Sequence, residues 1–280
     1  MIKVPLSVII LTYNEEIHLE RLLKNIVGWA DEIFIVDSYS TDNTIQIAEH
    51  YGCKIFQHLF ENQAQQFNWA LDNLDIKNEW ILRLDADEYL TEELKNEISE
   101  LFNIMKSDFL NIDDNFRKSD FQNINGFYIK RRVYFMGRFI KHGGYYPTWL
   151  LRLFRKGKAK AEQRAMDEHI VLLEGRAEKL RNDFVDDNRK SLSDWIQKHN
   201  NYASREALDF LKGDYGTQKK KIYYRLPFFC RAFLYFIYRY FFRFGFLDGK
   251  EGLIFHFLQG FWYRFLIDVK IYEAKKNKKD

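Results

Sequence analysis

The strongest constraint on the fold is an alternation. Four short apolar runs, at residues 6–11, 32–36, 53–56 and 80–84, are separated by stretches with helical spacing, and each run ends in polar residues. The first, Leu6-Ser7-Val8-Ile9-Ile10-Leu11, is nearly continuous in apolar character, as a strand buried on both faces must be. Between the runs, Leu19, Leu22, Leu23 and Ile26 recur at the spacing of one helix face, as do Ile45 and Ala48, and a further helix is predicted over 65–74. Strand and helix in strict alternation imply a mostly parallel sheet with helices on both faces. Polar residues after every strand place the ligand site along one sheet edge, where loops converge.

The run at 80–84 ends in Asp85-Ala86-Asp87-Glu88. Asp85 and Asp87 stand two residues apart and can face the same side with hard oxygen ligands. Such a pair suits Mg2+ or Mn2+ carrying a phosphate-bearing substrate. Two of the other strand ends are Thr12-Tyr13-Asn14-Glu15 and Asp37-Ser38, the latter followed by Thr41-Asp42-Asn43-Thr44. Together with Leu84-Asp85-Ala86-Asp87-Glu88, these three motifs in this order resemble the family 2 glycosyltransferases, which have the GT-A fold. The resemblance implies that Thr12, Tyr13, Glu15 and Asp37 hold a nucleotide base and ribose. It implies that Asp87 binds the metal that bridges a sugar donor's diphosphate, with Asp85 near the ribose or the metal. A cation at the diphosphate would stabilise the charge that develops as it leaves.

Further along, 92–105 reads as a helix with Leu94, Ile98, Leu101 and Phe102 on one face. Residues 107–125 are polar and without period, the pattern of a surface loop or a partly disordered insertion. Strands are predicted at 126–129 with 131–135, and at 148–154. The glycine- and aromatic-rich stretch 137–147 between them either shapes a pocket or merely connects. Met166-Asp167-Glu168-His169 is the second chemical stretch. In the resembled family an acidic residue near this place takes the acceptor's proton, which implicates Asp167 and Glu168; strand alternation lets one of them face the site, and Glu168 is favoured. His169 is a partner of that acid, a phosphate contact or a structural histidine. After the acidic run Asp183 to Asn188, a helix is expected over 191–211; its Lys198, His199 and Arg205 either close over a diphosphate or form a solvated face.

Residues 212–280 carry 15 Lys and Arg against 6 Asp and Glu, a balance of +9 that leaves −6 for residues 1–211. The expected domains are therefore 1–211, the GT-A body, and 212–280, a basic and aromatic tail. Arg225, Arg231, Arg239 and Arg243 interrupt the aromatic run 222–247 too often for a membrane-spanning helix. They fit amphipathic helices lying in a membrane interface, through residues 222–270, with the terminal lysines drawn to anionic lipid. Two cysteines, Cys53 and Cys230, suggest neither a disulfide framework nor a zinc cluster. The N-terminus enters a strand with no signal-peptide core, so the expectation is a peripheral protein on the cytoplasmic face of the membrane. There it would move a sugar, with inversion, from a nucleotide donor, UDP-linked by preference, to a lipid-linked, lipopolysaccharide or capsule glycan. A nucleic-acid partner is not expected. The competing readings are a nucleotidyltransferase on a similar sheet, against which the missing glycine-rich, lysine-bearing first loop speaks, and a silent nucleotide-sugar-binding scaffold.

Overall fold

The computed structural model describes residues 3–106, 123–162, 169–213 and 218–277. The chain divides into two compact units: residues 1–132, 148–164 and 168–189 form the first, and 133–147, 165–167 and 190–280 the second. The expected helix after residue 190 is present as Leu192–Leu211 and clusters with the second unit.

The first unit opens as β1 (Val4–Thr12), α1 (Glu16–Ile26), β2 (Ala30–Asp37), α2 (Thr44–His50), β3 (Lys54–Gln57), α3 (Gln63–Asn73) and β4 (Trp80–Asp85). β3, β2, β1 and β4 lie side by side, all parallel. Each strand sends alternate residues to opposite faces. Val8 and Ile10 of β1 and Leu82 and Leu84 of β4 join Leu19, Leu22 and Ile26 of α1 in one core, while Ile9 and Ile81 join Phe67 and Ala70 of α3 in the other. Both faces being covered explains why these strands read as continuous apolar runs.

Past β4 the sheet changes character. β5 (Glu88–Leu90), α4 (Glu92–Lys106), β6 (Ile124–Phe135), β7 (Arg138–Phe139), β8 (Thr148–Arg155), β9 (Ala159–Ala161), β10 (Ile170–Leu172) and β11 (Arg176–Asp187) follow in sequence. β8 lies antiparallel beside β4, with Leu82 opposite Leu153, and β6 antiparallel beside β8. β11 pairs antiparallel with β5, setting Asp186 opposite Glu88. The strand order is β3-β2-β1-β4-β8-β6-β11-β5, with β7 on β6 and β9 and β10 forming a separate ribbon. The parallel half with its helices is the predicted architecture; the antiparallel half was not legible as such, because periodicity marks a strand without giving its direction.

The second unit is helical. After Leu192–Leu211, which a capping box of Ser191 and Asp194 starts, come Gln218–Tyr224, Cys230–Ile237, Gly249–Phe255 and Tyr263–Lys276. Turns of π-helix at Tyr238–Phe242 and His256–Trp262 interrupt the regular spacing. Pro227 has no N–H to donate and falls where one helix stops and the next has yet to start. The aromatic run 222–247 is therefore broken rather than one amphipathic helix. Arg231, one of the arginines that interrupt the aromatic run, is fully buried. Its Nε donates to Asp268 at 2.8 Å, and its guanidinium lies 4.6–5.7 Å from the ring centres of Phe210, Tyr223, Tyr224 and Phe228. Among the described residues, no helix is long and apolar enough to cross a membrane.

Glu206 anchors the same unit. It accepts from the hydroxyls of Tyr224 (2.9 Å) and Tyr263 (2.8 Å) and from Arg264 (2.9 Å). Burial alone would raise this carboxyl; Arg264 and Lys220, with the two tyrosine hydroxyls, outweigh it and hold it down to about 2 from the usual 4.5. A depressed carboxylate stabilises the fold above its unfolded pKa, and that stability fades as pH falls toward the folded value. Glu206→Gln is expected to lower stability at neutral pH by about 2–3 kcal/mol. In urea unfolding the gap to wild type should narrow as pH drops below 4.5. A gap independent of pH would assign the residue a purely steric role.

Candidate active site

The register of the parallel strands brings the three motifs together. Thr12 pairs with Asp37 across β1 and β2, and Leu11 with Asp85 across β1 and β4, so three neighbouring strands end level with one another. The loops that follow β1 and β2 are tied by hydrogen bonds. The fully buried Asp37 carboxylate accepts from Thr12 Oγ1 (2.9 Å), from the Ser40 amide (2.8 Å) and from Ser40 Oγ (2.5 Å). Ser40 Oγ in turn accepts from the Asn14 amide, and Thr44 Oγ1 from the Glu15 amide, each at 2.8 Å. Asp42 accepts from the Glu16 amide at 3.1 Å. Thr12 and Asp37 are thus in contact and hold the two loops together from within, while Tyr13 beside them is 58% exposed.

Glu15 is oriented by a histidine that the motif alone did not single out. His18, fully buried, bonds Glu15 Oε2 through Nδ1 at 2.6 Å, and its Nε2 accepts the Arg189 amide at 2.8 Å. Because an amide N–H can only donate, Nε2 is the acceptor and the proton sits on Nδ1, pointing at Glu15.

The acidic edge is larger than Asp85 and Asp87. β5 follows immediately, and the Asp85 amide donates to the buried Glu88 carboxylate at 2.9 Å. β11 ends beside them: the Asp187 amide donates to the Asp87 carbonyl at 3.0 Å, and Asn188 Nδ2 donates to Asp87 Oδ2 at 2.8 Å. Asp85, Asp87, Glu88, Asp186 and Asp187 therefore gather at one place. Arginines offset part of that charge. Arg152 of β8, buried, donates to Glu88 at 2.5 Å and to Asp85 at 3.3 Å; Arg83 reaches Asp85 at 3.4 Å. Arg21 donates to the Asp87 carbonyl at 3.0 Å, pairs with the Asp187 carboxylate and stacks on Tyr89 at 4.8 Å.

Burial, with the carboxylates of Asp85, Asp186 and Asp87, pushes Glu88 well above the usual range against the pull of Arg152. Arg152, equally buried, is held charged by Glu88 and Asp85. Asp87 differs from its neighbours. Among the described residues its carboxylate accepts one amide hydrogen bond and has no cationic side chain in ion-pair range.

The fit to a divalent cation follows from that donor set. Among the described residues, no group of three or more His, Cys, Asp or Glu side chains is placed to hold an ion unaided. A cation bound through Asp87, with Asp85 nearby, would draw its remaining ligands from a diphosphate and water, which is how Mg2+ is commonly held.

Asp167 and Glu168 lie outside the described residues. His169 is exposed and passes its carbonyl to the Glu162 amide at 2.9 Å. In the second unit, the His199 ring stacks on Trp195 with centres 3.5 Å apart, and burial pushes it down to about 4. It is a packed, uncharged ring and not a solvated one. Arg152 and Arg83 are residues the motifs missed. The available signal was a charge inside an otherwise apolar strand, Leu150-Leu151-Arg152-Leu153-Phe154, which a buried strand tolerates only with a partner.

Comparison with known proteins agrees with this geometry. The chain is 40% identical over 97 residues, 35% of its length, to an uncharacterized glycosyltransferase of Rickettsia bellii, and the match spans 32% of that relative. The chain thus spans about a third of the length of such relatives. It is 29% identical to the lipopolysaccharide core biosynthesis glycosyltransferase LpsC of Rhizobium meliloti, over 97% of the chain and 93% of LpsC. A mannosyltransferase of Pyrobaculum calidifontis, solved with GDP-Man and Mn2+, superposes with a TM-score of 0.45 at 13% identity, covering 98% of this chain and 76% of that one, a likeness too loose to argue from. Residues 7–162, which carry the three strand-end motifs, match glycosyl transferase family 2, and the chain belongs to that family.

Proposed function

We infer that the protein transfers a sugar, with inversion, from a nucleotide-sugar donor to a lipid-linked or lipopolysaccharide-type glycan. It does so with a divalent cation, as a peripheral protein on the cytoplasmic face of a membrane. One observation carries the reading: three level strand ends present Thr12, Asp37 and Asp85 side by side, with the uncompensated carboxylate of Asp87 next to them. The exposed Tyr13 ring would cover a base, and the loop pinned by Asp37 would receive the ribose. Mg2+ or Mn2+, when bound, would neutralise charge on the departing diphosphate. Asp87 would hold the ion there; Asn188 orients its carboxylate, and Arg21 and the Asp187 amide fix its backbone.

In the transfer, an acceptor hydroxyl oxygen bonds to the anomeric carbon as the bond from that carbon to the diphosphate breaks. The hydroxyl proton passes to a carboxylate, assigned to Glu168 with Asp167 as its neighbour, by their place in the sequence. The likeness to LpsC along nearly the whole chain supports a lipopolysaccharide-type acceptor. The basic, aromatic composition of residues 212–280 supports a membrane location.

Purified protein incubated with UDP-, GDP-, CMP- and dTDP-sugars is expected to release one nucleotide in the presence of Mg2+ or Mn2+. Asp87→Asn should lower that rate by about 100-fold or more, the loss expected when a charge-stabilising group is removed. Failure to bind any nucleotide sugar would sink the transferase reading. Glu168→Gln should lower transfer by about 100- to 10,000-fold while leaving donor binding intact. If Asp167→Asn does so instead, the base is the neighbouring residue.

A further inference from the structure

A pair of arginines in the second unit is not absorbed by the reading above. Arg239 lies within the π-turn Tyr238–Phe242 and Arg243 follows it, the turn closing with the Arg243 amide donating to the Tyr238 carbonyl at 2.9 Å. The loop 142–147 reaches the same turn, its Gly143 amide bonded to the Arg243 carbonyl at 2.8 Å. Gly143 and Gly144 both have positive φ, +67° and +76°, a conformation glycine adopts without strain. At Gly143 no side chain fits, since a Cβ would stand 2.0 Å from His256. Gly144 is different: it is exposed, and the point where its Cβ would stand lies 3.5 Å from Arg243 Nη2 and 3.7 Å from Arg239 Nη2.

Two guanidinium tips thus lie within 3.7 Å of the same point beside the exposed Gly144. Like charges so close repel unless an anion lies between them. The protein supplies none: among the described residues, the arginines bond the neutral hydroxyls of Tyr235 and Tyr238, Arg239 stacks on Tyr145 at 4.0 Å, and neither meets a carboxylate. Asp248 of the same unit is engaged by the His142 amide (2.9 Å) and ring (2.6 Å). Arg239 Nε is buried with no hydrogen-bond partner. Around this point the chain exposes Phe241, Phe242, Phe244 and Phe246, with Phe242 exposed to 70%. Soluble protein surfaces seldom cluster aromatics in this way, and guanidinium groups beside them match the layering of a bilayer, phosphates above hydrocarbon.

We propose that Arg239 and Arg243, meeting over Gly144, clasp the phosphate of an anionic membrane lipid while the phenylalanines of the same turn enter the acyl boundary. The assignment rests on the reading that this unit meets a membrane, and adds the group that recognises the lipid. The planar guanidinium suits phosphate oxygens better than an ammonium does. A free phosphate offers the same oxygens, but the exposed aromatics favour the lipid as its source.

The test is sedimentation of the full chain with vesicles of phosphatidylcholine alone or doped with phosphatidylglycerol. Wild type should partition onto the doped vesicles. Arg243→Gln, at an exposed position, should weaken that partition about fivefold and Arg239→Gln/Arg243→Gln further, whereas Lys250→Gln, an exposed lysine not among the groups that approach Gly144, should change it less than about twofold. Arg243→Lys should recover only part of the loss, and thermal melts of each variant report whether it folds. Equal losses in Lys250→Gln and Arg243→Gln would reduce the effect to general surface charge and overturn the site. Full binding by folded arginine variants would overturn the site while leaving the membrane reading intact; no wild-type binding to either vesicle would overturn both. Saturable binding of inorganic phosphate at micromolar levels without vesicles, lost in Arg243→Gln, would move the site to a soluble ligand and contradict the lipid assignment.

Discussion

Arg152 sits in the interior against two carboxylates, Glu88 and Asp85, and the acidic edge depends on it. Five carboxyl groups at one sheet edge repel one another, and burying any of them without a partner is costly. An antiparallel strand beside β4 solves this by delivering a guanidinium from the neighbouring backbone, where it is held by packing on Phe184 at 5.2 Å. With Glu88 and Asp85 satisfied from within, Asp87 is left with its carboxylate directed to an amide and to whatever enters the crevice. Truncating one member of such a buried ionic group usually costs more than the pair contributes, since the survivor is left charged and desolvated. The antiparallel half of the sheet is therefore part of the site and not an appendage to the parallel half.

The parallel half was legible because its physics is local and periodic. Strands covered on both faces are apolar throughout, helices between them keep a 3.6 residue period, and the connection rules leave few topologies. Thr12, Asp37 and Asp85 are found at level strand ends, with Asp87 in the turn just beyond, because strand ends are where such sheets collect polar residues. Arg152, His18 and Asn188 were not legible. Each acts on a motif residue far away in sequence, as Asn188 does on Asp87 and Arg152 on Glu88, and no period records a pairing of that kind. The acidic run ending at Asn188 was visible as composition; its place beside Asp87 follows from the antiparallel pairing of β11 with β5.

In the second unit the failure is instructive in another way. An amphipathic pattern assumes unbroken helices, and Pro227 with π-turns at Tyr238–Phe242 and His256–Trp262 removes that assumption. Arg231, which in sequence only interrupts the aromatic run, is fully buried, ringed by aromatics and closed by Asp268. Aromatic abundance serves two ends here: rings such as Phe210 and Phe228 enclose Arg231, while Phe241, Phe242 and Phe244 remain at the surface. Composition counts both groups alike, and only the three-dimensional placement separates them.

The account turns on Asp87 as the carboxylate that joins protein, cation and diphosphate. Calorimetric titration of UDP and GDP into wild type and Asp87→Asn, with Mn2+ and then with a chelator, tests it directly. The account predicts nucleotide binding that needs the cation in wild type and that loses this dependence in the variant. Cation-dependent binding that survives unchanged in Asp87→Asn would contradict it, and would place the ion on other residues.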